Sequence, residues 1–142
     1  MKQKKIDIVS LLSNGEFVTF PINGWSMYPF IHNKDLVTIA PINRHIIKVN
    51  DIVLYRRPNN RLILHRVVRV DNQTVYFCGD NHFKIEGPLP IECIKGLLIS
   101  FSHNGKITTV SSPLFHAKSV LWNSLRPIRP LLHLISSVIK KA

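Results

Sequence analysis

Between Glu16 and Val110 the chain breaks into short β-type runs set apart by turn-forming residues. The runs are Glu16–Ile22, Asp35–Ala40, Asp51–Arg56, Leu62–Val70, Thr74–Cys78, Ile94–Ser102 and Lys106–Val110. They are rich in β-branched and aromatic residues, which suit a pleated, half-buried surface. Asn23-Gly24, Asn33-Lys34, Pro58-Asn59-Asn60, Asp71-Asn72 and Asn104-Gly105 punctuate them, because Asn and Gly tolerate the left-handed backbone that tight turns require. Asn104-Gly105 between two such runs signals a hairpin. With no internal repeat and no low-complexity stretch, the expected fold is a mainly β body.

Helical spacing flanks that body. In Lys4–Leu12, Ile6, Val9, Leu11 and Leu12 recur at helical intervals, and Asn14-Gly15 supplies a left-handed stop. After Pro113, Leu114, Ala117, Leu121 and Leu125 fall on one stripe with Lys118, Asn123 and Ser124 off it. Arg126-Pro127 interrupts this helix, and a second begins near Pro130 with Leu131, Leu134, Ile135 and Val138 as its apolar face. The organisation predicted is an N-terminal helix over 1–15, a β domain over 16–112 and a basic amphipathic tail over 113–142.

A chain of 142 residues fits one domain. Nineteen Lys and Arg against eight Asp and Glu give a net charge of +11, which suits an anionic partner or a solvated basic surface. Lys118, Arg126, Arg129, Lys140 and Lys141 lie beside the tail's apolar stripes with Trp122. Such a tail either contacts an anionic membrane peripherally or packs its stripes on the β body. Without a helix-turn-helix or an aromatic RNA-binding box, no nucleic-acid partner is expected. Met1–Lys5 is basic, but Asp7, Ser10 and Ser13 break the apolar stretch that a secretory signal needs. No run reaches the roughly 18 apolar residues of a membrane span. A cytoplasmic location, either free or peripheral at the inner membrane face, is therefore expected. Cys78 and Cys93 are expected to be reduced and buried.

Two residue types point to chemistry. Gly24-Trp25-Ser26-Met27-Tyr28-Pro29 offers a serine on a sharply turned backbone, as a nucleophile with a nearby oxyanion site requires. The same residues fit an ordinary loop whose serine bonds locally. His65 shares a strand face with Ile63 and Val67, while Leu64, Arg66 and Val68 face the other way. It is a proton acceptor suited to serine near neutral pH, or a hydrogen-bonded core histidine. Gly79-Asp80-Asn81-His82 closes a turn after a strand. His65, Cys78, His82 and Cys93 lack the close ligand pairs of structural zinc. No metal site and no cofactor is expected, and His32, His45, His103, His116 and His133 read as surface or structural residues.

In order, Ser26-Met27-Tyr28-Pro29, Asp51-Ile52-Val53, His65-Arg66-Val67-Val68 and Gly79-Asp80-Asn81 resemble the boxes of the type I signal peptidase superfamily, which includes the LexA-like peptidases. The resemblance covers Gly24 to about Phe101 and implies a coiled β-sheet body and serine endopeptidase activity on extended peptides of signal or leader type. By that resemblance Ser26 is the nucleophile and its N–H holds the oxyanion. His65 stands where the Ser-His branch has its base, Asp80 supports the active-site strands, and Trp25, Met27 and Pro29 shape the substrate cleft. Gly24 occupies the position of a hydroxyl oxyanion donor in many bacterial members, leaving only backbone groups for that task. After the Gly-Asp box only Glu86 is offered as a carboxylate, and no membrane anchor precedes Ser26. The alternative function is a peptide-binding module that no longer cleaves. With His65 as base, activity is expected to rise at about pH 6 to 7.

Overall fold

The computed structural model describes residues 7–43, 45–128, 130–131 and 134–135. A short helix, α1 (Ile8–Ser13), precedes the strands and is capped by the Asp7 side chain, which accepts the Ser10 N–H. Lys4 and Ile6, which the sequence places in this helix, lie outside the described residues. The strands are β1 (Val18–Pro21), β2 (Leu36–Pro41), β3 (Ile52–Arg56), β4 (Leu62–Asp71), β5 (Thr74–Cys78), β6 (Glu86–Pro90), β7 (Ile94–His103) and β8 (Lys106–Thr109). The helix α2 (Pro113–Ser124) follows, capped by Ser112, and ends in a 3-10 turn at Arg126–Ile128, where Arg126-Pro127 predicts the break.

All pairings are antiparallel, in the order β1-β2-β7-β3-β4-β5-β6, and β8 pairs with β7. β7 is shared. One edge pairs with β2, and the other pairs first with β3 and then, from Ser100 on, with β8. The seven expected runs each correspond to a strand. The eighth strand, β6, escapes the sequence reading because Gly87, Pro88 and Pro90 look like loop. As an edge strand it needs no ladder donor on its outer side, so its prolines are tolerated.

The sheet is apolar on both faces at its centre. Ile52 to Tyr55 are all buried, but alternation sends them to different clusters. Ile52 and Leu54 join Leu12, Met27, Val37, Ile39, Leu64, Leu98, Phe101 and Phe115. Val53 and Tyr55 join Ile47, Val67, Val75, Phe77 and Ile94. The expected split of β4 holds, with Ile63 and Val67 on the second side and Leu64 on the first.

The tail departs from the expected stripe. Phe115 and Ser119 are the buried residues of α2, whereas Leu114 and Leu121 are 66% and 63% exposed. Two aromatic anchors set this rotation. The Phe115 ring meets Phe30 and Phe101 edge-on at 5.3 and 5.5 Å, and Trp122 donates its indole N–H to the Asp80 carbonyl at 2.7 Å. The phenyl ring gains aromatic partners in the core, and the indole meets a backbone acceptor. Leu131, Leu134 and Ile135 are exposed, and Val138 lies outside the described residues. No helix among the described residues is long and apolar enough to cross a membrane.

A buried ion pair ties the strands to the turn that follows β5. Arg66 Nε and Nη2 donate to Asp80 Oδ1 and Oδ2 at 2.8 and 2.7 Å, with both side chains 1% exposed. Arg66 Nη1 also donates to the Asn50 carbonyl at 3.0 Å. Removing one partner of such a pair strands a charge in the interior, so Asp80→Asn is expected to cost about 3–5 kcal/mol in urea unfolding. The double replacement Arg66→Met/Asp80→Leu is expected to recover most of that loss. A single variant as stable as the parent contradicts this role.

Candidate active site

Ser26 lies on a tight turn between β1 and β2. Gly24 has φ +100°, a backbone conformation that side chains disfavour, and the Tyr28–Pro29 peptide is cis. The Tyr28 N–H donates to the Trp25 carbonyl and the Ile31 N–H to that of Met27, which closes the turn. The Gly24 N–H donates to Asn33 Oδ1 at 2.7 Å. The Gly24 N–H thus already has an acceptor, and its left-handed backbone shapes the turn. The Ser26 N–H has no acceptor among the described residues.

Strand β4 meets this turn across Gly79. A Cβ on Gly79 would sit 2.7 Å from the Ser26 carbonyl oxygen, 2.8 Å from His82 Nδ1 and 3.1 Å from His65 Nε2. The space a side chain would fill is therefore where the Ser26 backbone and the His65 imidazole come together. The Asn81 N–H donates to the Ser26 carbonyl at 2.9 Å and pins the two loops. Ser26 Oγ makes no hydrogen bond among the described residues.

His65 is 5% exposed, and its far nitrogen is spoken for. Tyr55 Oη lies 3.2 Å from His65 Nδ1, and the same hydroxyl donates to Glu86 Oε1. Arg57 approaches the other Glu86 oxygen at 2.8 Å as an ion pair. A phenol has one proton, and here it goes to the carboxylate, so its oxygen must accept from His65 Nδ1–H. That leaves Nε2 as the bare nitrogen, on the side of Gly79 and Ser26. Stacking of Tyr55 on Phe77, with centroids 3.8 Å apart, holds the phenol in place.

Burial pushes the His65 pKa down to about 4, reinforced by His82 and Arg57 and opposed by Glu86. The expected titration near pH 6 to 7 is thus corrected: a ring this deeply buried disfavours its charged form. Burial and the Glu86 hydrogen bond raise the Tyr55 pKa and keep the phenol protonated.

The other expected residues divide. Asp80 lies beneath the site, held by Arg66 as described. Trp25 is 52% exposed at the rim, and Pro29 is half-buried. Met27 is 2% exposed and packs in the first core cluster, so it props the turn from below. Tyr28, Phe83 and Ile85 add exposed apolar surface on the two loops pinned by Asn81. Cys78 is buried, with its Sγ 3.5 Å from the Gly79 and His82 carbonyl oxygens. Cys93 is half-buried, and burial raises its thiol pKa to about 11. The His65, Cys78, His82, Cys93 set forms no metal cluster among the described residues. A cavity of about 480 Å³ opens between α2 and the sheet, lined by Ile52, Leu98, Val110, Phe115 and Ser119 among others, and neither Ser26 nor His65 borders it.

Tyr55 is the functional residue that the sequence reading missed. A signal was present: the Pro58-Asn59-Asn60 turn pairs Val53 with His65 and Tyr55 with Ile63, which sets Tyr55 diagonal to His65 on one face. Glu86 was noticed without a place, because the strand that carries it was not read. Compared with family models, curated proteins and solved structures, the chain has no match in any of the three.

Gly79→Ala is expected to wedge the two loops apart. Its Cβ would press on the Ser26 backbone carbonyl at 2.7 Å, at a cost of about 1–3 kcal/mol in urea unfolding. A loss below about 0.5 kcal/mol would mean the loops part freely and no fixed geometry exists here.

Proposed function

We propose that this protein is a serine endopeptidase in which Ser26 attacks an extended peptide and His65 is its general base. The observation that carries the reading is the proton order Glu86, Tyr55, His65, which leaves Nε2 bare on the side of the nucleophile's turn. Ser26 Oγ adds to the scissile carbonyl as its proton passes to His65 Nε2. The Ser26 N–H is placed to donate to the oxyanion. Collapse expels the amine, which takes the proton from His65, and leaves an acyl-enzyme; His65 then deprotonates the water that releases the acid. While His65 is charged, Tyr55 accepts from Nδ1–H and passes the influence of the Glu86 carboxylate to the ring. Tyr55 and Glu86 are positioning residues in this scheme.

Edge geometry supports an extended substrate. Among the described residues no strand pairs with the outer edge of β1, which leads through Ile22 and Asn23 to the Ser26 turn, whereas Pro88 and Pro90 blunt the opposite edge at β6. A peptide added beside β1 gains main-chain hydrogen bonds, and Trp25, Tyr28, Phe83 and Ile85 offer apolar contacts to its side chains. Signal or leader segments, extended and with small residues before the cut, suit such strand addition. One observation favours a second reading, a binding module that does not cleave: Ser26 Oγ has no hydrogen bond to His65.

Digestion of a diverse peptide library, read by mass spectrometry, separates the two. The parent is expected to yield defined products and Ser26→Ala to lose at least about a thousandfold in rate; identical product patterns leave the binding module. Tyr55→Phe is expected to lower kcat by up to about a hundredfold, with KM little changed. The base must be neutral, so kcat/KM should be flat through neutrality and fall as pH drops through about 4. A limb near the ordinary histidine value of 6.5 would contradict the buried base.

A further inference from the structure

Three side chains outside the proposed active site converge behind the Ser26 turn. His32 follows that turn, Asp35 precedes β2, and His103 ends β7, where the pairing of Leu36 with Ser102 brings the last two together. One donor atom from each residue lies within 4.8 Å of the others. The two imidazoles stack with centroids 4.1 Å apart and planes 21° apart. The Asp35 side chain is 4% exposed. Its Oδ1 accepts from His103 Nδ1 at 2.6 Å, and its Oδ2 accepts the His32 backbone N–H at 2.7 Å.

The His32 ring lacks such a partner. Its Nδ1 is buried and makes no hydrogen bond, standing 3.6 Å from Asp35 Oδ2, too far for one. That separation suits two ligands of one ion. With zinc bonds of about 2.0–2.2 Å to nitrogen and oxygen, neighbouring donors of a tetrahedron lie about 3.3–3.6 Å apart.

We propose that His32 Nδ1, the Asp35 carboxylate and His103 Nδ1 bind one divalent transition-metal ion of the zinc class, with water completing its shell. The ion replaces the proton on His103 Nδ1, which is released to solvent, and Asp35 changes from accepting that proton to ligating the metal. The His32 backbone N–H keeps the carboxylate oriented, as an outer-sphere group does. Two imidazoles and one carboxylate favour zinc, cobalt or nickel over calcium and magnesium, which take oxygen shells. The His32 and His103 side chains are 30% and 43% exposed, which gives an ion an entry path. Trp25 and Tyr28 meet the His32 ring edge-on at 6.0 and 5.2 Å. A bound ion therefore steadies the ring against which the Ser26 turn packs.

The test is titration of the chelator-treated full chain with zinc chloride by calorimetry, and with cobalt chloride by visible absorption. One equivalent is expected to bind with micromolar or tighter affinity. His32→Ala and His103→Ala should each weaken binding by about tenfold or more, while His82→Ala leaves it unchanged. If His103→Ala fails to fold, His103→Asn keeps a donor to Asp35, removes the imidazole, and should still weaken binding. Millimolar binding, equal isotherms in parent and His32 variants, or loss on His82→Ala would overturn the assignment. Because the readout is metal affinity, its failure is separable from failure of the peptidase reading.

Discussion

The side chains of Arg66 and Asp80 exchange two hydrogen bonds in the interior, and the geometry of the candidate site follows from where that pair sits. Arg66 is the neighbour of His65 on β4. Asp80 lies between Gly79, which leaves room for the imidazole, and Asn81, whose N–H holds the Ser26 carbonyl. A bidentate contact between those two side chains therefore fixes β4 against the loop that holds the Ser26 carbonyl. Two charges this buried are costly to desolvate, and apolar replacements often fold as well or better. What the pair adds is a defined spacing. The indole of Trp122 reaches the Asp80 carbonyl from α2, so the tail helix braces the same turn from outside.

The second constraint is the fate of one phenolic proton. Tyr55 is part of the apolar face that packs on Phe77 and Val67, yet its hydroxyl lies between a carboxylate and an imidazole. Giving the proton to Glu86 compels the histidine to present Nδ1–H inward and Nε2 outward. The tautomer is chosen by hydrogen-bond accounting in the core. Burial then keeps the ring neutral well below the usual histidine range. A weakly basic imidazole is a poorer proton acceptor in water, so the arrangement suits a site in which the imidazolium is stabilised only as it forms, by the Tyr55–Glu86 chain.

The β body was legible because turn chemistry is local. Asn60, Asn72, Asn104 and Gly105 all take positive φ at the turns their residue types announce. The apolar runs between them had nowhere to go but into strands. β6 was hidden because its Gly-Pro composition argues against a strand, and only its edge position permits it. The α2 face was misjudged because the apolar count ranked Leu114, Ala117 and Leu121 above Phe115 and Trp122. Two aromatic anchors with specific partners outweighed the longer aliphatic stripe. At the site, Ser26, His65 and Asp80 could be found from residue type and order. The places of Tyr55 and Glu86 and the His32, Asp35, His103 cluster follow from strand register, which brings distant residues together and is only partly signalled by the turn after β3.

The central claim is that His65 is a neutral base held in one tautomer. Nitrogen-15 chemical shifts of the His65 ring in the full chain, followed from neutral to acidic pH, test it most directly. The account predicts a protonated Nδ1, a bare Nε2 and no protonation of the ring until pH falls to about 4. A ring protonated at Nε2 at neutral pH, or one that titrates near 6.5, would contradict it.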